Sequence, residues 1–424
     1  MIGEYLRKQV GFRPAIARPP SAALAMAVVI PCKDEPDLRG VLASLAACDS
    51  SAADGDVEVL VVVNGSDADP PAVRARNAAS AAEARAFAVE SRAARRTFHV
   101  IEAFDLPERH AGVGLARKLG MDEALARLDR AGAAEGVIAC LDADCAVAPD
   151  YLRALRRWFA AHPGACGAAI HFEHRLSEVE DPRHRAGIAG YELFLRSHVH
   201  GLRLAGCARA FQTVGSSLAV RARAYAAVGG MNRRKAGEDF YFVQKLASHG
   251  AVGEIQGTTV YPSGRVSNRV PFGTGRAMGD WLASGAPEIQ AYDPRIYREL
   301  AAALGRIDGW FAASPERATR GLPTAVAGFL EDEGFAQALR ELQANTTTPE
   351  SFGRRMRDWL NPFRCLKLVH ALTRTERPKV PVTEAARSIL AWEGAAAADS
   401  LGTEDLLAIF RALDRGRAAE RSHP

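Results

Sequence analysis

Short apolar runs alternate with helix-like segments through the first third of the chain. Four runs contain almost no polar residue, as in strands that are covered on both faces: 25–31, 57–63, 98–101 and 136–141. Between them, amphipathic or alanine-rich segments predict three helices: 36–47, 70–96 and 112–128. This alternation predicts an α/β fold in which a parallel sheet lies between layers of helices.

The pattern changes after residue 151. Predicted helices now mix with short predicted strands, and from about residue 287 the chain is mainly helical. The mixed elements are helices at 151–161 and 183–204 and strands at 167–172 and 217–220. We therefore expect three parts: an irregular lead-in at 1–24, an α/β domain at 25–285 and a mainly helical C-terminal region at 286–424.

Composition and charge exclude some classes of protein. Hydrophobic residues make up 48% of the 424 residues and charged residues 25%, as in an ordinary globular protein. The formal net charge is only +4, whereas nucleic-acid binding calls for a concentrated basic face. We therefore expect no nucleic-acid partner.

The cysteines and the apolar stretches indicate a compartment. The seven cysteines are scattered without a CxxC pair, which favours reduced thiols over a disulfide framework or a zinc site. No apolar stretch approaches the roughly 20 residues of a membrane span. The first residues, MIGEYLRKQVGFRP, carry charges where a signal peptide is apolar. We expect a cytoplasmic protein.

Polar residues cluster where the predicted strands end. They occupy 31–35, 64–67 and 142–144. Because the carboxyl ends of parallel strands meet at one edge of a sheet, and ligands bind there, these residues predict a single crevice.

Asp142 and Asp144 form a D-x-D sequence after the fourth apolar run. Their carboxylates suit Mg²⁺ or Mn²⁺, with a diphosphate supplying further oxygens. The alternative is a solvated loop or an N-cap for the helix that begins near Pro149.

A second acidic pair, Glu238 and Asp239, precedes a helix-like segment. Asp239 either caps that helix or acts as a general base in the crevice. His171 and His174 lie on opposite faces if their segment is a strand, so we expect them to be structural.

Arg117 and Lys118 follow a glycine-bearing helix entry that begins at Gly112. A helix N-terminus and two cations would attract a diphosphate. The segment is not a GxGxxG after the first strand, and the chain contains no GxxxxGK[ST]. A dinucleotide-binding dehydrogenase is therefore disfavoured, and a P-loop is excluded.

Six motifs in order resemble family-2 glycosyltransferases of the GT-A fold. They are IPxxxE from Ile30 to Glu35, VVVNGS at 61–66, GLARKLGMDEA, LDADC, VGSSLAVRARAYAAVGGM at 214–231, and GED. The resemblance covers roughly residues 26–260. It implies a GT-A-type fold and inverting transfer of a hexosyl group from a nucleotide sugar to an acceptor hydroxyl, assisted by Mn²⁺ or Mg²⁺.

The resemblance also implies roles for single residues on the donor side. Asp144 would bind the metal, and Asp142 would lie nearer the ribose or a metal-bound water. The other donor residues would be Pro31, Asp34 and Glu35 near the nucleotide, Asn64 at the base or ribose, and Arg117 and Lys118 at the base or diphosphate.

On the acceptor side, the resemblance implies that Glu238 and Asp239 lie near the acceptor and that Asp239 is the base. Gly215, Ser216 and Ser217 would line the donor-sugar and acceptor region. The acceptor would be a glycan, a lipid-linked molecule or a small molecule.

Two departures from the family pattern matter. Asn64 follows Val63 where the family usually has two aspartates, so the nucleobase is open. The Q-x-x-R-W segment of synthase members is missing, and without membrane spans this argues against a processive polysaccharide synthase. In its place, the glycine-rich segment 261–275 contains Arg265 and either closes over the donor phosphates or is an ordinary surface loop.

The segment 351–374 interleaves apolar and basic residues. It either lies on an anionic membrane surface, as a peripheral contact at the inner face of the cell membrane, or packs its apolar face against the catalytic domain. Trp281, Tyr292 and Trp310 either line an acceptor cleft or belong to the core.

Two other functions compete with glycosyl transfer. Asn64 and the basic segment would also suit a non-catalytic GT-A-like module that binds a nucleotide or a membrane surface. A sugar nucleotidyltransferase would need a glycine-rich loop after the first strand, and IPCKDEP contains no glycine.

Overall fold

The computed structural model describes residues 1–9, 12–49, 55–91, 93, 95–207, 209–234, 237–267, 273–395 and 398–420. The chain divides into two compact units. The first comprises Met1–Glu178, Thr213–Ala277 and Asp414–Pro424, and the second comprises Val179–Gln212 and Met278–Leu413. The domain limits at 24 and 285 stay a prediction.

The first unit contains an eight-stranded sheet. Its strands are β1 (Leu24–Cys32), β2 (Asp56–Asn64), β3 (Arg96–Ala103), β4 (Val137–Cys140), β5 (Ala146–Val147), β6 (Ala165–Phe172), β7 (Leu218–Arg221) and β8 (Ala251–Tyr261). Their order is β3-β2-β1-β4-β7-β6-β8-β5. The strands from β3 to β4 are parallel, as are β6 and β8, whereas β7 and β5 pair antiparallel. The α/β fold with a mostly parallel sheet is confirmed.

Helices flank this sheet and make up most of the second unit. Those in the first unit are α1 (Ile2–Lys8), α2 (Leu38–Ala46), α3 (Pro71–Glu90), α4 (Val113–Arg130), α5 (Tyr151–Ala161), α7 (Ala222–Ala227) and α8 (Glu238–His249). Those in the second unit are α6 (Pro182–Leu204), α10 (Arg295–Leu304), α11 (Thr324–Asp332), α12 (Phe335–Ala344), α13 (Pro349–Trp359), α14 (Pro362–Thr375) and α15 (Val382–Trp392). Residues of both units form α9 (Thr274–Ser284) and α16 (Thr403–Glu420), and the second unit also pairs β9 (Gln290–Ala291) with β10 (Val380–Pro381).

The centre of the sheet is apolar because β1 is covered on both faces. Every residue of β1 except Ala25 is buried. In register, Val29 lies beside Leu60 of β2 and Cys140 of β4. The carboxyl ends of these three parallel strands therefore lie at the same edge, where the sequence predicted a crevice.

One predicted helix is too long. The segment predicted at 70–96 is helical only as α3, which ends at Glu90. Ser91 is extended, Arg95 has a left-handed φ of 61°, and Arg96 already begins β3. The predicted helix included the connection between α3 and β3 because an alanine-rich composition indicates helix propensity but not where a helix ends.

In the second unit, the segment 351–374 forms most of α13 and α14, and the break between them lies just before Pro362. Asn361 caps α14 by accepting a hydrogen bond from the Arg364 N–H at 3.0 Å. The apolar residues Met356 and Leu368 are buried, and α14 packs against α10 and α11 of the same unit. The apolar face of α14 thus packs within the second unit. Packing of this segment against the catalytic domain and membrane contact through 351–374 both stay predictions.

The two tryptophans named as cleft candidates belong to the core. Trp281 is buried, and its indole donates to the Arg183 carbonyl at 3.1 Å. Trp310 is buried and donates to the Ala318 carbonyl at 3.0 Å. Tyr292 is half-buried and donates to or accepts from His370 at 2.8 Å.

In the part of the chain that the structure describes, every helix is too short or too polar to cross a bilayer.

Candidate active site

Asp142 and Asp144 lie in a tight turn directly after β4. The Cys145 N–H closes the turn by donating to the Asp142 carbonyl at 3.1 Å. The two carboxylate side chains are 38% and 25% exposed. They are therefore open enough to bind a ligand, and each of them contacts an arginine.

Arg117 of α4 joins the two acidic pairs. Its buried guanidinium donates from Nη2 to Asp142 Oδ1 at 2.6 Å and from Nη1 to Glu238 Oε1. Burial alone would lower the pKa of Arg117, but Glu238 and Asp142 raise it above its usual value. The arginine is therefore a permanent cation between the D-x-D turn and the start of α8.

Two glycines make room for this arrangement. A Cβ on Gly120 would lie 2.8 Å from the Val62 side chain, so its absence lets α4 lie close to the sheet. A Cβ on Gly215 would lie 2.8 Å from Arg117 Nη2. Gly215 was predicted to line the donor region, and it lies against the guanidinium that binds Asp142.

Glu238 and Asp239 have different surroundings although they are neighbours at the start of α8. Glu238 is buried and paired with Arg117. Asp239 is half-buried and accepts a hydrogen bond from the Phe240 N–H at 2.7 Å. Burial and the adjacent Glu238 raise the pKa of Asp239 to about 6. Of the two carboxylates, Asp239 is the one suited to accept a proton near neutral pH.

Glu35 follows β1 and binds Arg265, which follows β8. Arg265 Nη1 donates to Glu35 Oε1 at 2.7 Å, and Nη2 donates to Oε2. The same Nη2 lies 3.5 Å from Asp144 Oδ2. The segment with Arg265, left between two interpretations by the sequence, thus lies at the D-x-D turn.

Asn64 ends β2 and has an unsatisfied donor. Its side-chain Nδ2 is buried and has no hydrogen-bond partner among the described residues. Asn77 of α3 links this strand end to the next, because it donates to the Asn64 carbonyl at 3.1 Å and accepts from the Asp34 N–H at 2.8 Å. Asp34 has a left-handed φ of 51°. A buried donor without a partner is rare and suits a ligand acceptor.

Lys118 lies apart from these residues. Its ammonium donates to Asp122 and to Tyr5, both at 2.8 Å, and Tyr225 donates to the same Asp122 at 2.7 Å. All four side chains are buried. The charge of Lys118 is thus compensated inside this buried cluster, and its predicted contact with the donor stays a prediction.

The remaining predicted residues are buried, in β1 or directly before β7. Pro31 is buried in β1 opposite Val62, beyond the last pair of β1 with β4. Ser216 and Ser217 are buried before β7, and the Ser217 N–H donates to the Val214 carbonyl at 2.8 Å. These residues shape the loops that end at the crevice.

The two histidines fit a structural role. His171 is buried, and its ring nitrogens lie 2.7 Å from Gln256 Oε1 and 2.8 Å from Glu173 Oε1. His174 is also buried.

A divalent ion fits the D-x-D turn only with help from a ligand. Among the described residues, no group of three or more histidine, cysteine, aspartate or glutamate side chains could hold a metal. Asp142 and Asp144 offer hard oxygen donors on partly exposed side chains. Mg²⁺ commonly binds one or two carboxylates and takes its other ligands from water and substrate phosphates. The donor set therefore fits an ion that enters with a diphosphate.

Comparison with known families identifies the class of protein. Residues 27–213 match the family model described as glycosyl transferase family 2. This match confirms the resemblance carried by the six motifs and supports glycosyl transfer as the activity. The sheet and the helical second unit agree with the GT-A-type fold that the motifs imply. No curated protein sequence matches the chain.

Three solved structures are similar to the chain at low identity. S. aureus TarS 1–349, also solved with UDP-GlcNAc, is 12% identical over 78% of this chain and 89% of its own, with a TM-score of 0.38. The mannosyltransferase PcManGT from Pyrobaculum calidifontis, in complex with GDP-Man and Mn²⁺, is 13% identical over 98% of this chain and 92% of its own, with a TM-score of 0.33. GalNAc-T7 with UDP, GalNAc and Mn²⁺ is 14% identical over 73% of this chain and 54% of its own, with a TM-score of 0.36.

Sequence reasoning missed two residues of the site. Asn77 lies in the alanine-rich α3, where a lone asparagine gives no signal of its partners. Arg265 was noted within a glycine-rich segment, but its contact with Glu35 spans 230 residues of sequence. Only the fold brings these groups together.

Proposed function

We propose that the protein transfers a hexosyl group from a nucleoside-diphosphate sugar to an acceptor hydroxyl, with inversion and with the help of Mn²⁺ or Mg²⁺. One observation carries the proposal: Arg117 binds both Asp142 of the D-x-D turn and Glu238 beside Asp239. A donor-binding carboxylate and a candidate base thus lie on either side of one buried cation.

Five residues bind the donor in this proposal. Asp144 would hold the divalent ion, Asp142 would lie nearer the ribose or an ion-bound water, and the Nδ2 of Asn64 would donate to the base or ribose. Pro31 and Asp34 border the nucleotide. When bound, the ion neutralises charge on the departing nucleoside diphosphate.

Asp239 accepts the proton of the acceptor hydroxyl. Its pKa of about 6 leaves it mostly ionised at neutral pH and yet basic enough to be useful. The hydroxyl oxygen attacks the anomeric carbon from the face opposite the diphosphate, so the configuration inverts, and the transition state resembles an oxocarbenium ion. Glu238 keeps α8 in place through Arg117, which makes it a positioning residue.

The acceptor hydroxyl belongs to a glycan, a lipid-linked molecule or a small molecule. Gly215 and Ser216 border its site in this proposal. A lipid-linked acceptor would fit a peripheral location at the inner face of the cell membrane, through the basic segment 351–374.

A panel of nucleotide sugars, assayed with and without Mn²⁺, tests the activity through release of the nucleoside diphosphate. We expect turnover of one donor, a large loss in Asp144→Ala and a large loss in Asp239→Asn. If both variants kept wild-type turnover, the proposed roles would be wrong.

The buried Asn64, at a position where the family usually has aspartate, also favours a second candidate. That candidate is a non-catalytic module that binds a nucleotide. Calorimetry that detects UDP or GDP binding, together with no turnover of any donor in the presence of acceptor extracts, would favour it over the enzyme.

A further inference from the structure

Arg265 connects the ends of three strands. It lies after β8, and its guanidinium contacts Glu35 after β1 and Asp144 after β4. The sequence left the segment that contains Arg265 between two interpretations, closure over the donor phosphates and an ordinary surface loop, and the donor site proposed above does not use this arginine.

The two carboxylate contacts of Arg265 are unequal. Glu35 has a fully buried side chain and accepts hydrogen bonds from both Nη1 and Nη2. Asp144 is partly exposed, and its Oδ2 lies 3.5 Å from the same Nη2. Bidentate pairing fixes a guanidinium far better than one long contact. Glu35 therefore fixes the position of Arg265, and the positive charge of Arg265 lies beside Asp144.

This position has a consequence for cation binding. A fixed positive charge beside Asp144 opposes the entry of a second cation, because like charges repel strongly in a partly buried site. A diphosphate reverses the balance, since its negative oxygens attract both cations and suit the planar N–H fork of arginine.

We propose that Arg265 couples the divalent ion to the nucleoside diphosphate: without the diphosphate it weakens ion binding at Asp144, and with the diphosphate it donates to phosphate oxygens. This inference rests on the proposed function, because it takes Asp144 as the ligand of the ion. The buried Glu35 holds the guanidinium in the position that both effects need.

The charge of Arg265 is secure in this arrangement. Burial alone would lower the pKa of Arg265, but the hydrogen bonds and charge of Glu35, together with Asp144, raise it. Arg265 therefore keeps its positive charge throughout the neutral range.

Mn²⁺ affinity, measured from the electron paramagnetic resonance signal of free Mn²⁺, tests the coupling. It is determined without nucleotide and with saturating UDP or GDP, with Mn²⁺ binding to the nucleotide in buffer subtracted. For wild type we expect the ion to bind at least about tenfold more tightly with nucleotide, within the usual range of coupling between sites. In Arg265→Gln we expect tighter binding of the ion alone and a coupling ratio at least about fivefold smaller.

Reciprocity gives an independent check. The affinity for UDP or GDP, measured by calorimetry with and without Mn²⁺, must change by the same ratio as the affinity for Mn²⁺. The reason is that the two ligands share one coupling free energy. Arg265→Lys keeps the charge but lacks the fork that spans both Glu35 oxygens, so we expect an intermediate ratio.

Two variants serve as controls. Arg223→Gln removes an arginine from an exposed ion pair with Glu135, in which the two side chains are 3.0 Å apart. Arg223 follows the end of β7, which lies beside the start of β4, whereas the D-x-D turn follows the end of β4. We expect it to keep the wild-type ratio. The double variant Glu35→Gln/Arg265→Gln leaves no buried unpaired carboxylate, and we expect it to fold and to show the reduced ratio.

The outcomes separate this inference from the proposed function. If wild type binds Mn²⁺ and nucleotide but the ratio in Arg265→Gln and in the double variant stays within twofold of wild type, the coupling role of Arg265 is wrong and the proposed function stands. If wild type binds neither UDP, GDP nor inorganic pyrophosphate in the presence of Mn²⁺, the proposed function fails, and this inference fails with it.

Discussion

Arg117 and Arg265 each contact one aspartate of the turn after β4, but they do so from different parts of the first unit. Arg117 comes from the interior of α4 and is buried between Asp142 and Glu238. Arg265 comes from the segment after β8, is 30% exposed, and holds Asp144 only loosely. The comparison separates a fixed structural cation from a cation that can respond to a ligand.

The same comparison explains how two aspartates can lie so close together. Two neighbouring carboxylates repel each other unless a cation compensates them. Here each aspartate has its own arginine, supplied by a different element of the fold. Arg117 thereby fixes the side chain of Asp142, whereas the contact of Arg265 with Asp144 is long and can be replaced by one with a phosphate oxygen.

Arg117→Met should show the largest effect. It leaves the buried Glu238 without a partner, and breaking a buried ion pair on one side costs about 3–5 kcal/mol. We expect a loss of that size in the free energy of unfolding, measured by urea denaturation, together with loss of turnover. The double variant Arg117→Met/Glu238→Gln should recover part of the stability. A single variant as stable as wild type would show that this cation is not structural.

Gly215→Ala should have a smaller effect through the same arginine. The added Cβ would lie 2.8 Å from Arg117 Nη2, and crowding a well-packed site costs about 1–3 kcal/mol. We expect reduced stability and a reduced transfer rate, because Asp142 would move with the guanidinium. A control glycine needs free space for a Cβ and a negative φ, which excludes Gly132 with its φ of 72°. Gly328→Ala, in the interior of α11, is the better control, since a Cβ there meets nothing within 4 Å. It should keep the transfer rate and raise the stability by about 0.5–1 kcal/mol, because alanine is the better helix former.

Arg265→Gln should affect stability less than Arg117→Met. Glu35 is as buried as Glu238, but it still accepts a hydrogen bond from the Asp37 N–H at 3.0 Å, and the lost guanidinium is 30% exposed to solvent. The expected cost is therefore about 1–3 kcal/mol. Urea denaturation beside Arg117→Met measures the difference directly. Equal losses in the two variants would remove the distinction between the fixed and the responsive cation.

The sequence predicted the strand ends and the acidic pairs because each leaves a local pattern. Apolar runs ending in polar residues located the edge of the sheet, and motif order supplied the family. Arg117 and Lys118 could not be separated in this way. Neighbouring residues on a helix point about 100° apart, so only one of them could face the crevice, and the pattern does not say which.

The different surroundings of Glu238 and Asp239 could not be predicted from the sequence either. Both belong to the first turn of α8, and only the packed structure shows that Glu238 is buried against Arg117 while Asp239 is half-buried. Long-range contacts such as that between Glu35 and Arg265 leave no local signal at all. Sequence patterns thus predicted which residues lie near the ends of the strands, and tertiary packing distinguishes the contacts that each of them makes.

Linkage gives Asp239 a signature in stability as well as in activity. Its pKa in the folded protein, about 6, lies above the ordinary value of 3.8. The stability that the protonated form contributes is therefore lost as the pH rises from about 4 through 6. We expect Asp239→Asn to lack this loss in thermal unfolding scans and to be at least as stable as wild type at pH 7.5.

The pH dependence of kcat/KM for transfer tests the role of Asp239 most directly, because it reports the free enzyme. The account predicts a rate that falls about tenfold per pH unit below pH 6 and levels off above it, since only the ionised carboxylate accepts the proton. It also predicts that Asp239→Asn loses at least about a hundredfold in rate and that any residual rate lacks this acidic limb. A wild-type profile without the limb, or a variant that keeps both the rate and the limb, would contradict the account.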